Sequence, residues 1–267
     1  MTLATPLKTE RALRVGSVSY LNARPLIYGL DEAADVDLHL EVPSRLLDGL
    51  RHRRFDVALL PVIDYQKLEG LRIVPAGGIG SNGPALTVRI FSRMPIGKIT
   101  TLACDTDSHT SVALARVILA EQFQICPRFV DLTDDTSRDA EAILLIGDKV
   151  VCEEPIGYEH QLDLGGAWKE LTGLPFVFAA WMAREDADLG DLPRRLEKAK
   201  RDGLNNLASI ITRYALPRGW PRALAEQYLS EILLYDIGPQ QLQAIHLFHD
   251  LAAKHGLLAA TRPLEVY

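Results

Sequence analysis

Apolar and polar positions along this chain fall into short apolar runs separated by amphipathic stretches. Val15-Gly16-Ser17-Val18-Ser19 leads into a polar loop and then Pro25, a residue suited to a first helical turn, which predicts strand, loop, helix. Val36 to Val42 alternates and predicts a strand, and Pro43-Ser44 then opens a helix with Leu46, Leu47 and Leu50 on one face. Asp56 to Pro61 predicts a buried strand. Strands linked through helices in this way favour a parallel sheet, because a parallel partner is reached only by a crossover.

Farther along, the glycine-rich segment Ala76 to Pro84 reads as a loop, Ala85 to Ser92 as a long strand, and Pro95 with Gly97 as a boundary. A second cycle follows: strand Ile99 to Cys104, polar turn Asp105 to Thr110, then a helix carrying Val112, Ala115, Val117, Ile118 and Leu119. Strands are predicted at Arg128 to Val130, Ala142 to Ile146 and Phe176 to Met182. After these the period becomes helical through Leu192, Leu196, Ala199, Gly203, Leu207, Ile210 and Tyr214, and Pro221 and Pro239 are placed to begin two more helices. The two long strands bracket the middle α/β segment, so the pattern predicts an α/β chain of two lobes joined by two crossings. Residues 1–93 with 183–267 form one lobe, residues 94–182 form the other, and a small-ligand cleft lies between them.

The length of 267 residues allows two modest lobes, and 48% apolar with 24% charged residues fits a globular enzyme or binding protein. Twenty-nine basic against 35 acidic residues, with no block of either sign, argue against nucleic acid as a partner. Three cysteines without paired short spacing suit a reducing compartment better than a disulfide framework or a zinc site. Charged residues interrupt the N-terminal stretch, and the apolar run Leu174 to Ala183 is far shorter than the ~18 residues that span a bilayer. The expectation is therefore a cytoplasmic protein that neither crosses nor binds a membrane. The sequence does not address oligomeric state.

Four places could carry chemistry. Asp105 to Ser111 lies between a strand and a helix, where backbone N–H groups and hydroxyls attract an anion, although Ser108 or Thr110 could simply cap the helix. Asn22 lies in the first strand-to-helix loop, facing a ligand crevice or capping the Pro25 helix. Gly147-Asp148 follows a buried strand, where the acid could cap a helix or orient a ligand hydroxyl. Thr87 could turn its hydroxyl into the cleft or serve only as a β-former. His246 and His249 share a helix face without a third metal ligand and read as helix surface. No phosphate-binding loop, nucleophile elbow, zinc motif or dinucleotide fingerprint occurs, so no cofactor is expected.

In combination, Val18-Ser19-Tyr20-Leu21-Asn22-Ala23-Arg24-Pro25-Leu26, Asp56 to Pro61, Ile146-Gly147-Asp148, Asp163-Leu164-Gly165, Trp168 to Phe178 and Tyr235 to Pro239 resemble the chorismate dehydratase family of the futalosine route to menaquinone. The resemblance covers nearly the whole chain. It implies a type II periplasmic-binding-protein-like fold and a cofactor-independent lyase that converts chorismate to 3-[(1-carboxyvinyl)oxy]benzoate and water. Asn22 matches the family's motif asparagine, Thr87 falls on its active-site serine, and Ser108-His109-Thr110-Ser111 falls on a Ser-Arg-Thr-Ser turn. Thr87 adds a methyl, and His109 replaces a permanent charge. The implied roles are catalytic for Asn22 and Thr87, and substrate-binding for Ser108, His109, Thr110, Ser111, Gly147 and Asp148. The base is left open among Asp148, His109 and the substrate's own enolpyruvyl carboxylate. Two alternatives remain: a solute-binding protein for an aromatic or dicarboxylate ligand, and the related 1,4-dihydroxy-6-naphthoate synthase.

Overall fold

The structure, a computed structural model, describes residues 12–105, 109–133, 140–152 and 155–267. Its strands are β1 (Leu13–Ser17), β2 (Val36–Leu40), β3 (Val57–Pro61), β4 (Leu71–Ser81), β5 (Val88–Ser92), β6 (Thr101–Cys104), β7 (Arg128–Asp131), β8 (Ala142–Ile146), β9 (His160–Asp163), β10 (Phe176–Arg184) and β11 (Leu233–Leu234). They build a six-stranded sheet in the order β11-β4-β10-β3-β1-β2 and a five-stranded sheet in the order β7-β6-β8-β5-β9.

The two sheets follow one plan. In the first, β1 runs parallel to β2 and β3, while β10 is inserted antiparallel between β3 and β4. In the second, β6 runs parallel to β7 and β8, while β5 is inserted antiparallel between β8 and β9. Each sheet thus takes its antiparallel strand from the far side of a crossing. β3 and β8, both central, are buried at every position, which explains their unbroken apolar runs. In β8, Ala142, Leu144 and Ile146 join the main core, while Ile143 and Leu145 join a smaller cluster with Phe91, Ala103, Ala140 and Val150 on the other face.

Three expectations change. The chain leaves the first sheet after Ser81, enters the second at Val88, and is back in the first by Phe176. The sheets therefore divide the chain earlier than the expected breaks at 93/94 and 182/183. The turn is made by the segment between β4 and β5, where Gly83 and Leu86 have positive φ, rather than by Pro95 and Gly97. The glycine-rich segment is strand rather than loop as far as Ser81, forming the second half of β4, and only Asn82 to Pro84 remain loop. A Cβ on Gly78 would lie 2.5 Å from the Ala179 carbonyl oxygen, and one on Gly80 would lie 2.5 Å from that of Phe176, so glycine here admits a close strand neighbour. Finally, β9 and the helix Leu164–Thr172 supply elements that the apolar pattern alone did not mark.

Candidate active site

A cavity opens between the lobes, a usual place for a small-molecule site. From the first sheet and its loops come Val18, Tyr20, Asn22, Leu59, Pro61 and Phe178; from the second come Thr87, Val88, Ile146 and Gly147, with Ser111 from the helix His109–Phe123. Its walls are largely apolar. Among the described lining residues there is no aspartate, glutamate, histidine, lysine or arginine.

Three polar side chains converge at one end. The hydroxyls of Thr87 and Tyr228 lie 2.8 Å apart, joining the start of β5 to the segment just ahead of β11, and the Asn22 side chain also hydrogen-bonds to the Tyr228 hydroxyl. Burial raises the Tyr228 phenol above its ordinary range, and the bonds from Thr87 and Asn22 only partly oppose this. Tyr228 therefore stays protonated at neutral pH. If the Asn22 amide donates to the phenol oxygen, the phenol proton goes to Thr87 Oγ1, and the Thr87 proton is left to point away from Tyr228. This chain of donors ends at the cavity. Asn22 Oδ1, also buried, has no protein partner among the described residues.

Backbone geometry fixes this end of the cavity. Asn22 lies inside the 3₁₀ turn Leu21–Ile27 rather than at its N-cap, a position held by Tyr20, so the capping alternative does not hold. Gly147 follows β8 with φ +62°, and its N–H donates to the Thr87 carbonyl at 2.8 Å. Tyr228 begins the π-helical segment Tyr228–Ile232, a geometry that often accompanies functional positions. Its ring stacks on Trp220, with centroids 5.0 Å apart.

The remaining expected residues are placed differently. Ser108 lies outside the described residues. Ser111 lines the cavity, but the Thr110 hydroxyl accepts the Ile63 N–H at 3.4 Å instead. His109 Nδ1 lies 3.1 Å from both carboxylate oxygens of Asp64, which is fully buried and also pairs with Lys67 at 2.7 Å. Asp148 begins the short helix Asp148–Cys152, where its carboxylate accepts the Trp220 indole N–H at 2.8 Å and faces Arg218 at 3.5 Å. His109, Thr110 and Asp148 thus join the lobes beside the cavity rather than line it. His249 is not on the helix surface: it is a fully buried imidazole that donates to the Val62 carbonyl and accepts from Gln66. Tyr228 and Trp220 escaped the sequence reading because an aromatic at helical spacing looks like core, and only their partners across the cleft distinguish them.

A family model described as menaquinone biosynthesis matches residues 13–254. The chain belongs to the menaquinone-biosynthesis family. Two relatives named chorismate dehydratase, from Thermus thermophilus and Campylobacter jejuni, are each 28% identical to it. The first match covers 80% of this chain and 86% of the relative, the second 87% and 94%. In structure, this menaquinone-biosynthesis family member is similar to the alkanesulfonate-binding protein SsuA from Xanthomonas axonopodis pv. citri bound to MOPS. The TM-score is 0.70 and the identity 16%, with 96% of this chain and 97% of that one covered. That likeness shows the fold, which is periplasmic-binding-protein-like. No described helix is long and apolar enough to cross a membrane.

Proposed function

We propose that this chain is a chorismate dehydratase, a cofactor-independent lyase that forms 3-[(1-carboxyvinyl)oxy]benzoate and water for menaquinone biosynthesis. The family membership and the two named relatives support the substrate. The observation that carries the mechanism is the composition of the cavity: hydroxyl and amide groups at one end, apolar walls, and no carboxylate or imidazole among its described lining residues.

In the proposed reaction the apolar walls from Val18, Leu59, Ile79 and Phe178 pack against the substrate ring, and Ser111 meets a substrate carboxylate at the helix start. The ring C–H bond beside the ether breaks, and its proton passes to the substrate's enolpyruvyl carboxylate. The electron pair spreads toward the ring carboxylate, where preorganised donors stabilise it. Loss of the neighbouring C–O bond then makes the ring aromatic, and hydroxide takes up the proton as water. Thr87 donates to the developing charge through the polarised Asn22–Tyr228–Thr87 chain. Asp148 and His109 are committed to Trp220 and Asp64, which favours the substrate's own carboxylate as base.

The test is incubation of purified protein with chorismate, with products read by UV spectrum and mass. A product lighter by one water is expected. Chorismate that is bound but unchanged would instead favour a solute-binding protein, the role suggested by the sulfonate-binding structural relative.

A further inference from the structure

We propose that Asp163 is a positioning residue for the Thr87 hydroxyl, acting through a strained turn whose two leading N–H groups it holds in place. The catalytic part of this proposal rests on the chorismate reading; the geometric part does not.

Leu86 has φ +66°, a left-handed conformation that a branched side chain rarely adopts. The Thr87 N–H donates to the Ala85 carbonyl at 2.8 Å across it, closing a three-residue turn of the rare positive-φ form. Such a turn is costly and persists only when its surroundings over-determine it. Here one carboxylate takes both N–H groups that lead into Thr87. Asp163 Oδ1 accepts the Ala85 N–H at 2.8 Å, and Oδ2 accepts the Leu86 N–H, also at 2.8 Å. The same Oδ1 accepts Gly166 N–H at 3.1 Å and so caps the helix Leu164–Thr172. In register, Asp163 faces Arg89 across the β5–β9 pair, two residues past Thr87.

The turn decides where Thr87 points. Were Ala85 to Thr87 to continue the extended path of β5, the direction of every side chain would be set by strand alternation. The kink at Leu86 instead brings Thr87 Oγ1 to Tyr228 and the Thr87 carbonyl to the Gly147 N–H. Asp163 itself does not line the cavity. Its two oxygens are aimed at two consecutive N–H groups, a pattern that a helix cap alone does not require.

Asp163→Asn separates the cap from the turn, and the 3.8 Å pair with Arg89 that it also removes is lost equally in the Thr87→Val background used below. Asparagine caps a helix as well as aspartate does, but its NH₂ group confronts one of the two turn N–H groups. We expect kcat for chorismate to fall about 10²-fold, as for an ångström-scale misplacement, with KM changed little. Adding Leu86→Gly, which relieves the positive-φ cost, should recover at least about tenfold of that loss. In a Thr87→Val background, Asp163→Asn should change kcat by less than about twofold, because the hydroxyl it positions is gone. Wild-type kcat in Asp163→Asn, or an undiminished effect in the Thr87→Val background, overturns the proposal. Should Asp163→Asn fail to fold, Asp163→Ser, too short to reach both turn N–H groups, gives the same comparison. If the wild-type protein leaves chorismate untouched, the functional reading fails, and a crystal structure of the variant then decides the geometric part. Leu86 still at positive φ with Thr87 still bonded to Tyr228 would refute it; a relaxed turn would uphold it.

Discussion

His249 offers a test in which magnitude and sign both follow from its surroundings. Its Nε2–H donates to the Val62 carbonyl at 2.8 Å, and its Nδ1 accepts from the Gln66 amide at 2.9 Å, an arrangement only the neutral ring can satisfy. Burial pushes its pKa down from 6.5 to about 4, against the opposing pull of the Val62 carbonyl. The unfolded chain therefore binds a proton that the folded one refuses. The folded state has its full stability above pH 6.5 and loses it as pH falls toward 4, by about 3 kcal/mol at ~1.4 kcal/mol per pH unit. His249→Gln keeps a donor and an acceptor but cannot titrate. Urea unfolding of both proteins between pH 7.5 and 4.5 should show the wild-type advantage shrinking by about 2.5 kcal/mol, other acid effects being common to the pair. Parallel pH profiles would refute the reasoning. The site is involved because Val62–Lys67 carries Asp64, the partner of His109 across the lobes.

Other outcomes follow from the cavity and the sheets. Thr87→Ser should remain active while Thr87→Val, correctly folded, should lose kcat about 10²–10³-fold; equal rates would make Thr87 only a strand residue. Tyr228→Phe removes the middle of the donor chain and should lower kcat about tenfold, with circular dichroism checking the fold. Asp148→Asn keeps an acceptor for Trp220 and should leave kcat within about tenfold while raising KM, whereas a loss near 10⁴-fold would mark Asp148 as the base. Gly78→Ala should destabilise the fold by about 1–3 kcal/mol in thermal melts, because its methyl group meets the Ala179 carbonyl.

The fold was legible wherever one residue's environment is set by its own segment. The unbroken run of β3 and the Pro43 helix start were readable because burial on both faces and helix entry leave local signatures. β4 was missed because its glycines answer to strands some hundred residues away, and the lobe division because Leu86 gives no sign in sequence that it will turn left-handed. At the site, position along the chain marked Asn22 and Thr87 as candidates but left each an ordinary structural alternative, and the resemblance is what weighted them toward the cleft. Tyr228 had no such signal, and Asp163, although part of the resembling Asp163-Leu164-Gly165 segment, was given no role by it: their hydrogen bonds span 141 and 77 or 78 positions.

The inserted strands set the order of synthesis against the order of assembly. β3 and β4 are neighbours in the chain but not in the sheet, since β10 lies between them and β11 covers the other edge of β4. As a nascent chain leaves the ribosome, β4 has neither flanking strand until β10 is complete at residue 184, and its second edge waits for residue 234. Through that interval its N–H and C=O groups offer an open template to any other strand. A chain stopped short of β10 is thus a half-sheet prone to aggregation rather than a smaller working lobe, and folding should be dominated by these late, long-range pairings.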